Sequence, residues 1–194
     1  ANGSKVVFEK DYQIWLYDVA KGKAEPVNIG ITRNYILPKD KDYTVSKEIN
    51  YFDVSPDGKK LAFVSRGKLF VSDVEGKFVR QINKGNAERA SEVKWMSDNR
   101  TLLFLQTVNG YSNPCLVAAD GNGKVTVLSK DAANARFLTF NSKRTMAAYI
   151  SGRGEVKLLD TKTNAIKTVV KEEIWGNRGS NPFFSPNDEY LVFN

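Results

Sequence analysis

The side chain that most often carries catalysis is missing from this sequence of 194 residues, because it contains no histidine. Without an imidazole, Ser-His-Asp and Cys-His nucleophilic catalysis, HExxH zinc sites and histidine-based acid–base chemistry are excluded within the chain. Catalysis by a Ser-Lys pair or by paired carboxylates needs no histidine and stays chemically open. Any chemistry must therefore come from serine, cysteine, carboxylate or cationic side chains.

The nucleophiles and carboxylates do not form a recognisable motif. Ser112, in the segment GYSNP, lacks the second glycine of a nucleophile elbow. Cys115 is the single cysteine and cannot form an internal disulfide, and we expect it to be half-buried beside an Asn113-Pro114 turn. Glu88 and Glu92 lie four residues apart in an expected loop, which predicts neither an acid–base pair nor a metal site. We therefore predict no catalytic residue, no metal site and no cofactor in this chain.

Two arginines are candidates for ligand recognition, because a repeated sequence unit places them at equivalent positions. Arg89 and Arg178 each lie four residues before one copy of that unit. An arginine can bind a carboxylate through two parallel hydrogen bonds, so two arginines on one rim would suit the carboxylate of a peptide. Trp175 lies close to Arg178 and is a third candidate contact. The alternatives are exposed or ion-paired arginines and a tryptophan that anchors its own loop.

The repeated unit is twelve residues long and occurs four times. Its copies begin 41, 45 and 44 residues apart, an interval typical of a four-stranded β-propeller blade. The clearest copy, FDVSPDGKKLAF, combines a short strand, a tight turn and a second strand. The copies are Phe52–Phe63, Val93–Phe104, Leu138–Tyr149 and Pro182–Phe193.

Turn signals after each unit predict two further strands, and hence an all-β protein with three complete blades and two partial ones. An aspartate recurs where each third strand ends, at Asp18, Asp73, Asp120 and Asp160, and we expect its carboxylate to accept hydrogen bonds from the next turn's amides. Residues 86–92 and 132–136 could each form one helical turn. The complete blades are predicted at 51–82, 93–128 and 137–170, and the partial blades at 1–29 and 182–194.

The interval between the first partial blade and the next unit is long for a connection within one propeller ring. Phe8 lies 55 residues before its equivalent, Phe63, and the surplus falls in residues 30–50. This segment is predicted to be a linker or a long functional loop. Unpaired strand edges invite aggregation, so we expect the natural protein to continue beyond one or both ends.

The net charge of +7 could indicate an anionic partner, but the 29 lysines and arginines are spread along the chain without a block of five. This distribution favours a solvated surface over a nucleic-acid partner. No run of eighteen apolar residues is present, so no membrane span is expected.

The units with SPDG at Ser55–Gly58, SPND at Ser185–Asp188 and a third strand ending in aspartate resemble the WD40-like repeats of tricorn-type and TolB-type propellers. The run from Val45 to Ile82, together with Val93-Lys94-Trp95, is similar to the start of a second propeller in the tricorn-like serine peptidases. The resemblance implies that 1–29 ends a first propeller, that 30–50 links the two, and that 51–194 opens the second.

The resemblance also implies that the catalytic serine, histidine and acidic groups lie outside this chain. The segment would then be noncatalytic and would guide or gate peptides during proteolysis, with peptides and the other domains of the peptidase as partners. Homo-oligomerisation stays open. A cytoplasmic location is implied by the tricorn resemblance, and a periplasmic one by TolB if a signal peptide has been removed. The alternatives are a TolB-like scaffold for protein interactions and a free-standing propeller enzyme acting on a polyanionic sugar.

Overall fold

The structure, a computed structural model, describes residues 3–10, 12–30, 45, 47–83, 88–173 and 181–193. Every regular element among these residues is a β-strand, and paired strands run antiparallel. The prediction of an all-β protein is therefore confirmed. The described residues include no helix that could cross a membrane. Most of the predicted linker, 30–50, lies outside the described residues, so the proposed domain boundaries stay a prediction.

Contacts divide the chain into two compact units, Ala1–Tyr43 and Thr44–Asn194. The first unit contains one sheet, in which β1 (Lys5–Lys10), β2 (Gln13–Asp18) and β3 (Lys23–Pro26) pair in chain order. Phe8 lies opposite Trp15, and their rings stack with centroids 6.4 Å apart. This sheet has the three strands predicted for the first partial blade.

The second unit contains three complete four-stranded blades and a two-stranded sheet, and the strands of each pair in chain order. The prediction of three complete and two partial blades is thus confirmed. The first blade consists of β4 (Ile49–Val54), β5 (Lys60–Ser65), β6 (Lys68–Asp73) and β7 (Val79–Gln81). The second consists of β8 (Ala90–Trp95), β9 (Thr101–Val108), β10 (Tyr111–Ala118) and β11 (Thr126–Val127). The third consists of β12 (Ala135–Phe140), β13 (Met146–Ser151), β14 (Glu155–Asp160) and β15 (Ile166–Lys171). The last, two-stranded sheet consists of β16 (Phe183–Phe184) and β17 (Leu191–Val192).

One position of the twelve-residue unit adopts a left-handed backbone conformation in all four copies. It is occupied by Gly58, Asn99, Arg144 and Asp188, with φ values of 71°, 57°, 53° and 59°. Glycine adopts this conformation without a steric cost, and asparagine and aspartate tolerate it better than other residues do. The turn therefore keeps the same backbone conformation in the copies that lack the SPDG sequence.

The blades pack face to face, because alternate residues of a strand point toward opposite neighbours. Between the first and second blades, Val64 packs with Trp95 and Phe104 in one buried cluster. Leu105 follows Phe104 and points the other way, into a cluster with Tyr149 of the third blade. A third cluster joins the third blade to the last sheet. In it, Ile150 and Val156 of the third blade pack with Leu191 and Phe193 of the last sheet.

The recurring aspartates cap the turn after the third blade strand, as predicted. In each case a carboxylate oxygen accepts a backbone amide hydrogen bond of 2.8 to 3.3 Å from the following turn. The acceptors and donors are Asp18 with Ala20 and Lys21, Asp73 with Phe78, Asp120 with Asn122, and Asp160 with Lys162 and Thr163. Their role is structural, because they satisfy amides that the sheet leaves unpaired.

Two local predictions were wrong. The segments assigned single helical turns instead contain the starts of β8 and β12, and part of the first segment lies outside the described residues. Asn113-Pro114 is also not a turn, because Asn109 and Gly110, both with positive φ, close the hairpin between β9 and β10. An Asn-Gly pair is the preferred two-residue hairpin turn, so the strand continues through Pro114. Cys115 consequently lies fully buried in the sheet, whereas we had expected it to be half-buried.

Candidate functional site

The first strands of the sheets in the second unit, β4, β8, β12 and β16, lie beside one another. The Trp95 amide donates to the Asp53 carboxylate over 2.7 Å, which joins β8 to β4. The Leu138 amide donates to the Glu92 carboxylate over 2.7 Å, which joins β12 to β8. In a propeller the innermost strands surround the central channel, so these strands form the channel wall.

A first pocket, of about 390 Å³, lies where the first two blades begin. Arg89 lines it, and its backbone is held on both sides, since the Ala90 amide donates to the Gly67 carbonyl over 2.9 Å and the Thr107 amide to the Arg89 carbonyl over 3.0 Å. We call this the rim pocket. Its other lining residues are Asn50, Tyr51, Val64, Gly67, Ala90, Ser91, Thr107 and Ser112.

The Arg89 side chain passes over Gly67. A Cβ at Gly67 would lie 3.1 Å from Nε of Arg89, and Gly67 also has a φ of 76°, which favours glycine. Among the described residues, no carboxylate forms an ion pair with the Arg89 guanidinium. Arg89 is an exposed residue.

The other two predicted site residues, Arg178 and Trp175, lie outside the described residues. The pairing of Arg89 with Arg178 on one rim consequently stays a prediction. Arg178 enters the proposal below only through its position in the repeat, and Trp175 stays a predicted contact beside it.

A second pocket, of about 340 Å³, lies on the channel wall. Its lining includes the residue that directly precedes the twelve-residue unit in each of the four copies. Because equivalent positions of the four inner strands line one cavity, we call it the channel pocket. The four equivalent residues are Tyr51, Glu92, Phe137 and Asn181.

Glu92 is the buried charged residue of the channel pocket, with 6% of its surface exposed. Its two carboxylate oxygens accept the amides of Phe137 and Leu138 over 2.8 and 2.7 Å. Burial raises the pKa of Glu92, and these two hydrogen bonds oppose that effect. Burial, and then the negative charge of Glu92, raise the pKa of Tyr51.

Sequence reasoning placed Glu92 in a loop, and that interpretation was wrong because the residue lies within β8. The sequence does contain a signal for the strand position of Glu92. When the alignment of the four units is extended by one residue toward the N-terminus, Glu92 falls at the position equivalent to Tyr51 and Phe137.

The turn of the third blade carries a cationic side chain that contacts both preceding blades. Nη1 of Arg144 donates to Oδ2 of Asp53 over 2.9 Å and to the Trp95 carbonyl over 2.6 Å. Oδ2 of Asp53 also accepts the Trp95 amide. One arginine side chain therefore joins three blades, through an ion pair to the first and a hydrogen bond to the second. This contact was not predicted, because Arg144 stands where the clearest unit has glycine.

The described residues show neither a metal-ligand cluster nor an activated nucleophile at Ser112 or Cys115. They include no group of three or more histidine, cysteine or acidic residues that could hold a metal ion. The Ser112 hydroxyl lies 3.5 Å from the Ser91 hydroxyl, which is not a base. Burial raises the pKa of the Cys115 thiol to about 12, far above that of a reactive cysteine.

The stacked four-stranded blades and their shared inner wall define a β-propeller of the tricorn and TolB type. Over 148 residues the chain is 26% identical to the tricorn protease of Thermoplasma acidophilum, a match that covers 67% of this chain and 13% of that protein. No protein-family model matches the chain.

Solved structures support the same fold. A crystal structure of the tricorn protease matches with a TM-score of 0.66 and 20% identity, over 98% of this chain and 18% of its own length. TolB from Acinetobacter baumannii matches with a TM-score of 0.56 and 18% identity, over 98% of this chain and 46% of its own length. The chain thus spans a small part of the tricorn protease and about half of TolB.

Proposed function

We propose that this chain is a noncatalytic propeller segment of a tricorn-like serine peptidase, in which it guides or gates peptides. The match to the tricorn protease supports the parent class. The observation that carries the peptide role is the exposed guanidinium of Arg89, which lines the rim pocket without an ion-pair partner among the described residues. The remaining domains of the peptidase would then be its structural partners and would supply the catalytic groups.

The chemistry of the rim pocket suits the carboxyl end of a peptide. A guanidinium binds a carboxylate bidentately, and the hydroxyls of Ser91 and Ser112 in the same pocket can donate further hydrogen bonds. The volume of about 390 Å³ falls within the range of small-ligand sites. Arg178, at the equivalent position of the last repeat, would add a second cation.

The test is the binding of N-acetylated peptides with a free carboxylate, compared with the same peptides amidated at the C-terminus. Arg89→Ala should weaken binding of the free acid by about tenfold to a hundredfold, the range of a charge-assisted hydrogen bond, and should leave the amide unchanged. Calorimetric titration measures both constants. Arg178→Ala and the double variant should show whether the second arginine contributes.

Arg153→Ala is the matched control, because it removes the same exposed charge from the turn between β13 and β14. Equal binding of the free acid by the native chain and by Arg89→Ala would refute the peptide role of the rim pocket.

A second candidate, a TolB-like scaffold for protein interactions, is favoured by an open apolar face on the first blade. Phe52 and Val79, on the face opposite Val64, are 64% and 57% exposed. The sequence of the natural gene beyond residue 194 distinguishes the candidates, since only the tricorn-like one predicts a peptidase region there. A cytoplasmic location goes with the tricorn-like candidate and a periplasmic one with the TolB-like candidate.

A further inference from the structure

Glu92 carries a buried charge that no cation of the described residues neutralises. Each carboxylate oxygen accepts one backbone amide, and these hydrogen bonds favour the ionised form against the burial that raises the pKa of Glu92. Among the described residues it forms no ion pair with lysine or arginine. A buried carboxylate without a counter-ion is costly, so a cation that reaches it offsets part of that cost.

The neighbouring inner strand contains a carboxylate in a similar position that does have a cationic partner. Asp53 in β4 also accepts a backbone amide of the next blade, that of Trp95. Unlike Glu92, it is neutralised by Arg144, over 2.9 Å. The two carboxylates make the same kind of contact between blades, and they differ in that only Asp53 has its cation within the described chain.

The surroundings of Glu92 suit an organic cation. The channel pocket has aromatic walls, and aromatic faces attract cations. Tyr51 and Phe183 supply two of these walls, whereas the Phe137 ring already has the Arg136 guanidinium over it, 5.4 Å from the ring centroid. Lys94 lines the same pocket and its charge acts on Glu92, but it forms no ion pair with it. The pocket volume of about 340 Å³ can hold a lysine or arginine side chain.

We propose that the channel pocket binds a basic side chain of a peptide, with Glu92 as the anionic contact and the aromatic residues as walls. The proposal rests on the proposed function and sharpens it, because it names lysine- or arginine-containing peptides as the class that the channel selects. The cation that Arg144 supplies to Asp53 is supplied to Glu92 by the ligand.

The experiment titrates the 194-residue chain with N-acetyl-lysine amide and with its uncharged analogue, N-acetyl-norleucine amide. The backbone amides of Phe137 and Leu138, which donate to Glu92, serve as nuclear magnetic resonance reporters. We expect the lysine compound to shift both resonances saturably, and the norleucine compound to bind at least about tenfold more weakly. Equal shifts from the two compounds, or none from either, would overturn the proposal.

Two variants that change the pocket charge in opposite directions sharpen the test. Glu92→Gln keeps the side-chain shape and should reduce lysine affinity at least about tenfold, whereas Lys94→Met should increase it. If Glu92→Gln does not fold, Lys94→Met and the comparison of the two ligands still test the proposal. An affinity that Lys94→Met leaves unchanged or weakens would contradict the proposal.

The outcome is separable from that of the rim pocket, because both ligands lack a free carboxylate. Arg153→Ala, which removes an exposed charge outside both pockets, should bind N-acetyl-lysine amide as the native chain does. If Arg89→Ala leaves carboxylate binding unchanged but the chain still binds the lysine compound selectively, only the carboxylate site is refuted. If Arg89→Ala weakens carboxylate binding but the lysine compound does not bind selectively, only the site for a basic side chain is refuted.

Discussion

A single residue, Arg144, does more to connect the blades than its position in a surface turn indicates. Its guanidinium bonds to the Asp53 carboxylate and to the Trp95 carbonyl, and the side chains of Arg144 and Asp53 are 24% and 14% exposed. Hydrogen bonds to charged groups at this depth contribute more to stability than exposed ion pairs do. The residue holds its left-handed conformation, with a φ of 53°, although glycine would adopt it at lower cost.

Arg144→Ala should lower the free energy of unfolding by about 1–3 kcal/mol, because it leaves the partly buried Asp53 carboxylate without its cation. Alanine keeps a Cβ, so the steric cost of the left-handed turn stays nearly the same in both proteins. Urea unfolding measures the difference. Arg153→Ala, in an exposed turn, is the control and should change stability by less than about 0.5 kcal/mol. Equal stability of the two variants would show that the ion pair does not hold the blades together.

Among the elements, the tight turns of the twelve-residue unit connect one blade to the next as well as reversing the chain. Asn99 of the second blade accepts the Asp57 amide of the first over 2.9 Å. Asp188, at the equivalent position of the last sheet, accepts the Ser142 amide of the third blade over 2.8 Å and its hydroxyl over 2.5 Å. The residue that permits the left-handed turn thus also supplies the contact between blades.

The Asp188 contact should depend on pH. The hydrogen bond from the Ser142 hydroxyl, followed by that from its amide, lowers the pKa of Asp188. A carboxyl whose pKa is lowered by folding stabilises the fold above its unfolded pKa of about 3.9, and this contribution is lost as the pH falls through the folded pKa. The contact should therefore be fully formed at neutral pH and lost in acid below about pH 4.

Carboxyl-carbon resonances recorded from pH 2 to pH 6 would measure this effect. Ser142→Ala should return the pKa of Asp188 toward its ordinary value. Asp160 is the internal control, since hydrogen bonds from Thr163 and not from Ser142 lower its pKa. An Asp188 titration that Ser142→Ala leaves unchanged would show that the hydroxyl is not the cause.

At the scale of the whole second unit, stability comes from buried layers between successive blades. The layer between the first and second blades contains Trp95, Leu102, Phe104 and Cys115, each with 0% exposure. The sheets contribute opposite faces to successive layers, so no blade buries its apolar residues alone. Solvent can reach these residues only when neighbouring blades separate.

Cys115 can report this separation. Because burial raises the pKa of its thiol to about 12, the thiolate at pH 8 should be roughly a thousandfold scarcer than for a free cysteine. A chromogenic disulfide reagent should therefore react slowly with the native chain and fast in urea. Leu102→Ala, in the same layer, should accelerate the reaction more than Leu159→Ala, in the layer between the second and third blades. Equal rates for the native and unfolded chains would contradict the buried position.

Local regularity made most of the fold predictable, and contacts between blades made most of the site unpredictable. The strand and turn pattern of Phe52–Phe63 recurs closely enough to predict the number of blades and the aspartate caps. Arg89 was found because its place before the repeat could be counted. Glu92 was assigned to a loop because the predicted strand began one residue later, at Val93. The hydrogen bonds that place Glu92 in the wall come from Phe137 and Leu138, on another blade.

The sequence by itself determined that this protein is built from four-stranded blades, that a tricorn-like or TolB-like propeller is the appropriate comparison, and that histidine chemistry lies outside it. These properties depend on composition and on patterns within about twelve residues, which the chain carries locally. Only the tertiary structure decided that Glu92 shares a pocket with Tyr51 and that Arg144 reaches Asp53, 91 residues away in the chain. The physical reason is that burial and charge compensation depend on which blades are neighbours, and that arrangement forms only when the blades pack.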